Sequence, residues 1–360
     1  MYTHYGPMFS YYSAKTRAFL SYKRIPFVEI YEGKDYRDWI APALGRTVFP
    51  AVVSDEGEFF QDTTVIIDAL ECRHPERPVF PGDPVLMLVT RIVEFFIDEF
   101  WIVTAMHTRW NDPDARRFAM AEFRRFFGDG DGQDIWASGD AIAQRMQGYL
   151  PVLGIDTEQG QQVAQRLFEE ATQLLNRAVG PRRFALGPRP SLADCCLHAG
   201  YFAHQYRDHG AAQSYLKSRA AALSYFLDNM QAAGGMPARG ELGLTDAFLA
   251  YLRYTGPIGA AYAQSVRQLA QPLLAATPLR ETLNQVLTPE IELFGQPYKR
   301  GCGIFSAWKA QRVEDAYTGL SDSDRERADG LMAQIGWKDF LASRADPRIE
   351  RAGFQLERSA

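Results

Sequence analysis

The sequence is poor in cysteine and histidine, with 4 and 6 in 360 residues. Cys72, Cys195, Cys196 and Cys302 form neither a Cys-x-x-Cys pair nor a zinc spacing, and two are neighbours inside a helical pattern. They read as buried reduced thiols and exclude a disulfide framework. His204 and His209 are not set at i, i+4, so they do not stack as metal ligands on one helical face and read as packing or surface residues. The stretch "GDGDGQDIWASGD" puts Asp134 and Asp140 where a calcium loop requires Gly and Glu, and reads as a solvated loop. No metal is expected. Concentrated positive charge is also missing: 39 Lys and Arg against 44 Asp and Glu give a net charge of -5, with no footprint for nucleic-acid phosphates. No apolar run reaches the roughly 18 residues of a membrane span. Asp98 and Glu99 interrupt the most hydrophobic stretch, "IVEFFIDEFWIV". "MYTHYGPM" lacks the charged-then-apolar pattern of a signal peptide. The expectation is a soluble cytoplasmic protein with neither nucleic acid nor membrane as partner.

What is present is enough apolar residue, 46%, and enough length for two domains. The first 80 residues alternate in type. Strands are predicted at Tyr2 to Tyr5 and Phe27 to Tyr31, with a helix from about Ser13 to Arg24 between them, one stripe of which (Ala14, Ala18, Tyr22) faces a core. A short helical stretch follows from Tyr36 to Leu44. "VFPAVVSDEGEFFQ" then reads as a hairpin around an Asp-Glu-Gly turn, and "DTTVIIDALECRH" as a helix opened by capping-type residues. The order is β-α-β-α-β-β-α. Prolines 75, 78, 81 and 84 in "HPERPVFPGDPV" are set too closely for a helix or central strand and mark a linker. Beyond it the period is helical almost throughout, as at Val163, Leu167, Ala171 and Leu174.

Three stretches of this chain together resemble the glutathione transferase superfamily. Ser10 stands seven residues before Arg17, where many members carry a catalytic Ser or Cys. "TVFP" is similar to the family's Val-Pro segment. "FALGPRPSLADCCL" resembles its G-x-x-P-S-x-A-D segment. The resemblance covers roughly residues 1 to 230. It implies a thioredoxin-like, glutathione-binding α/β domain (1–80), an all-α domain of glutathione-transferase type (85–230), and here a helical extension (231–360) packed on that domain, rich in aromatic amphipathic segments such as "DAFLAYLRY".

The resemblance further implies glutathione as co-substrate, a homodimer, and the following roles. Thr63 offers its hydroxyl and N–H to the γ-glutamyl carboxylate at a helix start, where exposed N–H groups and the helix dipole favour an anion. Asp62 receives the glutamyl ammonium or, alternatively, caps its own helix. Phe49 pairs backbone to backbone with the peptide portion beside a cis Pro50. Arg46, with Lys34 and Arg37 as alternatives, faces the glycyl carboxylate. Ser10 donates a hydrogen bond to the glutathione thiolate, with Ser13 competing for the duty of helix cap and Tyr5, Tyr11 and Tyr12 as alternative hydroxyl donors. Ser191 and Asp194 fit a structural capping box. Serine at both 10 and 13 removes thiol chemistry from the scaffold and favours addition or substitution on glutathione over thiol-disulfide exchange. Phe95, Trp101, Met106 and Trp110 suggest an apolar or aromatic electrophile, although an aromatic stripe on a helix is more often core than pocket. The function implied is a glutathione-dependent detoxification transferase, or a related lyase, isomerase or etherase. The alternative is a noncatalytic ligand- or protein-binding module of the same fold.

Overall fold

A computed structural model describes residues 1–30, 33, 36–45, 48–128, 137–180, 184–276, 285–352 and 355–358. The chain begins with β1 (Tyr2–Tyr5), α1 (Tyr11–Lys23) and β2 (Phe27–Ile30). A π-type turn at Tyr36–Ile40 then runs into α2 (Ala41–Leu44), followed by β3 (Ala51–Ser54), β4 (Phe59–Gln61) and α3 (Thr63–Arg73). The strands form one mixed sheet in the order β2-β1-β3-β4, with β1 parallel to β2 and antiparallel to β3. This is the β-α-β-α-β-β-α domain expected from the alternating pattern.

Helices dominate the rest. They are α4 (Pro84–Phe95), a π-type stretch at Phe96–Trp101, α5 (Ile102–Trp110), α6 (Pro113–Phe127), α7 (Ala137–Gln147) and α8 (Glu158–Val179). Next come α9 (Leu192–Tyr201), a second π-type stretch at Phe202–Tyr206, α10 (Ala211–Arg219), α11 (Ala221–Gln231) and α12 (Asp246–Ala276). The hairpin β5 (Glu290–Leu293) and β6 (Gln296–Lys299) precedes α13 (Phe305–Thr318), α14 (Asp322–Gln334) and α15 (Lys338–Leu341), and the hairpin β7 (Ile349–Ala352) and β8 (Gln355–Arg358) comes last. Among the described residues, no helix is long and apolar enough to cross a membrane.

The chain divides into two compact units, which interleave in sequence. The first takes Met1–Phe80, Thr104–Leu150 and Val179–Leu242; the second takes Pro81–Val103, Pro151–Ala178 and Gly243–Ala360. The second unit thus draws on both sides of position 231.

In the first unit α1 is buried on nearly all sides, because it lies between the sheet domain and α9. Its apolar stripe alone does not predict this. The charged residues of its other faces are accommodated by pairing: Arg17 with Glu29, and Lys23 with Glu71 at 2.6 Å. The Glu71 carboxylate also accepts from Val79 N–H at 2.8 Å, and the Val79 carbonyl accepts from Leu192 N–H at 2.9 Å, so the proline-rich linker is stitched between α3 and α9. At the start of α9, Asp194 accepts from Ser191 N–H (2.8 Å), as in a capping box, and additionally from Ser191 Oγ (2.6 Å) and Ala185 N–H (2.7 Å).

In the second unit Gly256 and Gly259 on α12 permit close approach. A side chain at 256 would collide with the Ile335 carbonyl, and one at 259 would press on Trp337 and Phe96. Phe95 packs with Trp337 and Tyr262 in this core. Asp98 and Glu99, which break the apolar run in sequence, are buried here against α13: Lys309 Nζ donates to Asp98 Oδ2 at 3.1 Å, and Ser306 Oγ donates to Glu99 Oε2. The two hairpins depart from the all-helical reading of this region. β5 and β6 are joined by Phe294 (φ 55°) and Gly295 (φ 78°), the two left-handed residues of a tight hairpin turn.

Two other expectations are corrected by the fold. Cys72 is exposed on α3, while Cys195, Cys196 and Cys302 are buried thiols. Residues 129–136 of the acidic stretch lie outside the described residues, and its remainder is not a loop: Asp140 sits in the first turn of α7 and accepts from Arg124 Nε at 2.6 Å.

Candidate functional site

Sheet register brings three chain segments to one end of the four-stranded sheet. Tyr5 lies opposite Ala51, and Ala51 opposite Gln61. Tyr5 leads into Gly6 to Ser10, Ala51 follows Pro50, and Gln61 leads into Asp62 and Thr63. Ser10, Phe49, Pro50, Asp62 and Thr63 are therefore neighbours by topology, although the three segments are far apart along the chain.

Ser10 is the N-cap of α1. Its extended backbone (φ −83°, ψ 125°) ends the loop, and its Oγ accepts from Ser13 N–H at 3.3 Å. Ser13 is fully buried and does not cap. Accepting a bond uses one lone pair of a hydroxyl and leaves its proton available to donate. The first turn of α1 carries no acidic residue, so nothing there competes with an anion for the positive end of the helix dipole. Tyr11 is buried against His204 and Tyr12, and Tyr5 is buried with its ring edge-on to Trp39.

The loop before Ser10 is held from two sides by buried guanidinium groups. Arg17 donates to the Gly6 carbonyl at 2.6 Å and grips Glu29, which also contacts His4 Nδ1 at 3.0 Å. Burial works to raise the Glu29 carboxyl, but His4 and Arg17 together hold it below its ordinary value. Burial keeps the His4 imidazole below its own. Arg109 donates to the Phe9 carbonyl at 2.8 Å and to the Ala203 carbonyl at 2.6 Å, and pairs with Asp208.

The Phe49–Pro50 peptide is cis. The Phe49 ring lies against Phe126 and Phe127 at the end of α6, and the Phe9 ring stacks on Phe123 at 4.4 Å and touches the same pair. This phenylalanine cluster flanks both Ser10 and Pro50. By contrast Phe95, Trp101 and Trp110, three of the aromatic residues of the α4 to α5 segment, are core side chains, as is Met106.

Asp62 is the N-cap of α3, and its Oδ1 accepts from Thr64 N–H at 2.9 Å and Val65 N–H at 3.3 Å. Its φ of 76° is a conformation that non-glycine residues adopt at a cost on the order of 1–3 kcal/mol. The cap offsets that cost. Thr63 follows as the first helical residue, and its Oγ1 accepts from the buried ammonium of Lys15 at 3.2 Å. Arg46 and Lys34 lie outside the described residues, as does the Arg37 side chain.

Residues 5–78 match the sequence profile of the glutathione S-transferase N-terminal domain. The chain carries a glutathione S-transferase N-terminal domain. The superfamily resemblance read from three short stretches is thereby borne out over the domain that holds Ser10, Pro50 and Thr63. No curated protein matches the chain in sequence. Among solved structures, similarity extends to a beta-etherase from Sphingobium sp. strain SYK-6 (18% identity, 66% of this chain and 96% of that one, TM-score 0.45). It extends also to a glutathione S-transferase of Ceriporiopsis subvermispora in complex with glutathione (14%, 66% and 98%, TM-score 0.46). A third is a maleylpyruvate isomerase from Pseudomonas aeruginosa PAO1 (18%, 69% and 95%, TM-score 0.36).

Sequence reasoning missed Lys15 and Arg109 at this candidate site. Each looks like an ordinary charge on a helix, and only the distant partners, Thr63 and the Phe9 carbonyl, reveal otherwise. The Ser10 to Arg17 spacing did carry a signal for the guanidinium under the loop.

Proposed function

We propose that this protein is a glutathione-dependent enzyme of transferase type that holds glutathione along the end of its sheet and activates the thiol through Ser10. The observation that carries this reading is the placement of Ser10: a capping hydroxyl at an acid-free helix start, on the sheet end shared by the cis Phe49–Pro50 bond and the start of α3. Thr63 takes the γ-glutamyl carboxylate, Asp62 the glutamyl ammonium, Phe49 the peptide backbone and Arg46 the glycyl carboxylate.

Magnitudes support the serine. A free thiol has a pKa of about 8.5, and lowering it by about two units requires roughly 2.7 kcal/mol in favour of the thiolate. A hydrogen bond to a charged group supplies about 1.5–3 kcal/mol and the helix start about 0.3–1. One hydroxyl at this position is nearly sufficient. It acts as a donor and not as a nucleophile.

The electrophile is apolar or aromatic, in keeping with the phenylalanine cluster beside Ser10. Addition, substitution, isomerisation and ether cleavage all begin with the same thiolate. The working form is a cytoplasmic homodimer, a state that sedimentation of the purified protein tests. Thiolate absorbance of glutathione bound to the protein, followed against pH, tests the chemistry. A lowered thiol pKa supports the enzyme. Absence of glutathione binding sinks it and leaves the noncatalytic binding module.

A further inference from the structure

Lys15 lies on α1, wholly buried, and its ammonium donates to Thr63 Oγ1 at 3.2 Å across to the first residue of α3. This contact has a fixed polarity. An ammonium has three protons and no acceptor, whereas a hydroxyl has one proton and accepting lone pairs. Lys15 therefore takes the acceptor side of the Thr63 hydroxyl, and the Thr63 proton must go elsewhere. Asp62 has already engaged the N–H groups of Thr64 and Val65. Thr63 keeps its own N–H and O–H as two donors on one residue, with no acceptor for either among the described residues. Two adjacent donors beside a buried cation match the two oxygens of a carboxylate.

We propose that Lys15 is a positioning residue: by occupying the acceptor side of the Thr63 hydroxyl it turns that hydroxyl into a donor for the carboxylate of an anionic ligand at the start of α3. This rests on the reading that the γ-glutamyl carboxylate of glutathione binds there. The lysine touches no ligand and acts through Thr63.

The test is calorimetric titration with two ligands, glutathione and the γ-aminobutyryl-cysteinyl-glycine analogue that lacks only the γ-glutamyl carboxylate. The wild-type protein prefers glutathione. Lys15→Met reduces that preference by about tenfold while the affinity for the analogue stays within a factor of about two. Thr63→Val, which keeps the shape and loses the hydroxyl, produces the same loss, Thr63→Ser restores the preference, and the double variant Lys15→Met/Thr63→Val loses no more than Thr63→Val alone. A general structural defect would instead weaken both ligands together. An unchanged preference in Lys15→Met overturns the role of Lys15 and leaves the glutathione reading standing; absence of glutathione binding in the wild type overturns both. Should Lys15→Met fail to fold, an unchanged preference in Thr63→Val overturns the proposal by itself.

Discussion

The two units bury polar groups in different ways. In the first, buried charge pairs also reach backbone: Arg17 and Arg109, paired with Glu29 and Asp208, donate to the carbonyls of Gly6 and Phe9 in the loop that delivers Ser10, and Glu71, paired with Lys23, accepts from Val79 N–H. In the second, buried charge mostly meets other side chains, as in Lys309 with Asp98, Ser306 with Glu99 and Arg267 with Glu314. All 6 histidines belong to the first unit. His4, His198 and His204 are buried there, each kept below its ordinary pKa chiefly by burial. The difference teaches that one unit uses its interior to fix a short loop at a candidate site, while the other uses its interior to join distant segments of its own chain.

The largest effect that sharpens this comparison belongs to the second unit. Glu314 is buried and accepts from Arg267 (3.1 Å), Arg348 (2.9 Å) and Ala345 N–H (3.0 Å). Glu314→Ala strands the buried Arg267, a loss of about 3–5 kcal/mol. Denaturant unfolding measures it, and glutathione affinity at low denaturant stays that of wild type. Weaker glutathione binding in this variant would break the division of labour between the units.

Histidine burial yields the next effect. Burial pushes His198 down to about 3, so the folded state keeps it neutral while the unfolded chain protonates it near 6.5. Because the folded pKa is depressed, the associated stability is fully present above 6.5 and is lost as pH falls below it. Relative to His198→Phe, which retains a ring to stack on Phe202, wild-type stability falls by up to about 1.4 kcal/mol per pH unit below 6.5. A pH-independent difference would contradict the neutral, buried assignment.

A smaller change follows from Asp62. Asp62→Ala removes two capping bonds but keeps a Cβ at φ 76°, and lowers stability by about 1–2 kcal/mol. Asp62→Gly loses the same cap but relieves the strained backbone, so its melting temperature lies above that of Asp62→Ala. The reverse order would show that φ at this position is not strained.

The sheet domain was legible because its cues are local. Alternation, proline placement and the Asp-Glu-Gly turn mark β1 to β4, and the observed bounds differ from the predicted ones by only a residue or two, with α1 starting at Tyr11 in place of Ser13. The Ser10, Pro50 and Thr63 cluster was legible through family motifs that set backbone features: a helix cap, a proline after a strand edge and a second helix start. What the motifs could not reveal is which side chains brace those features. Lys15 is 48 residues from Thr63, and Arg109 is 100 from Phe9. In the second unit Ser306 meets Glu99 across 207 residues, so no periodicity marks the pair. The β5–β6 hairpin was hidden for a different reason, since its strands hold four residues each and its turn uses Phe294 where Asn or Gly would have announced it. Phe95 and Trp101 left core and cleft both open in the sequence, because an aromatic stripe on a helix looks alike in either, and their burial decides for the core.

The central claim is that Ser10 stabilises a thiolate it never attacks. The direct measurement is the absorbance titration of bound glutathione in wild type and in Ser10→Ala, at saturating ligand. The account predicts a thiol pKa in wild type about two units below 8.5, returned by at least one unit in Ser10→Ala, with glutathione affinity changed by less than about threefold. Identical titration curves for the two proteins would contradict it and leave Ser10 as a helix cap alone.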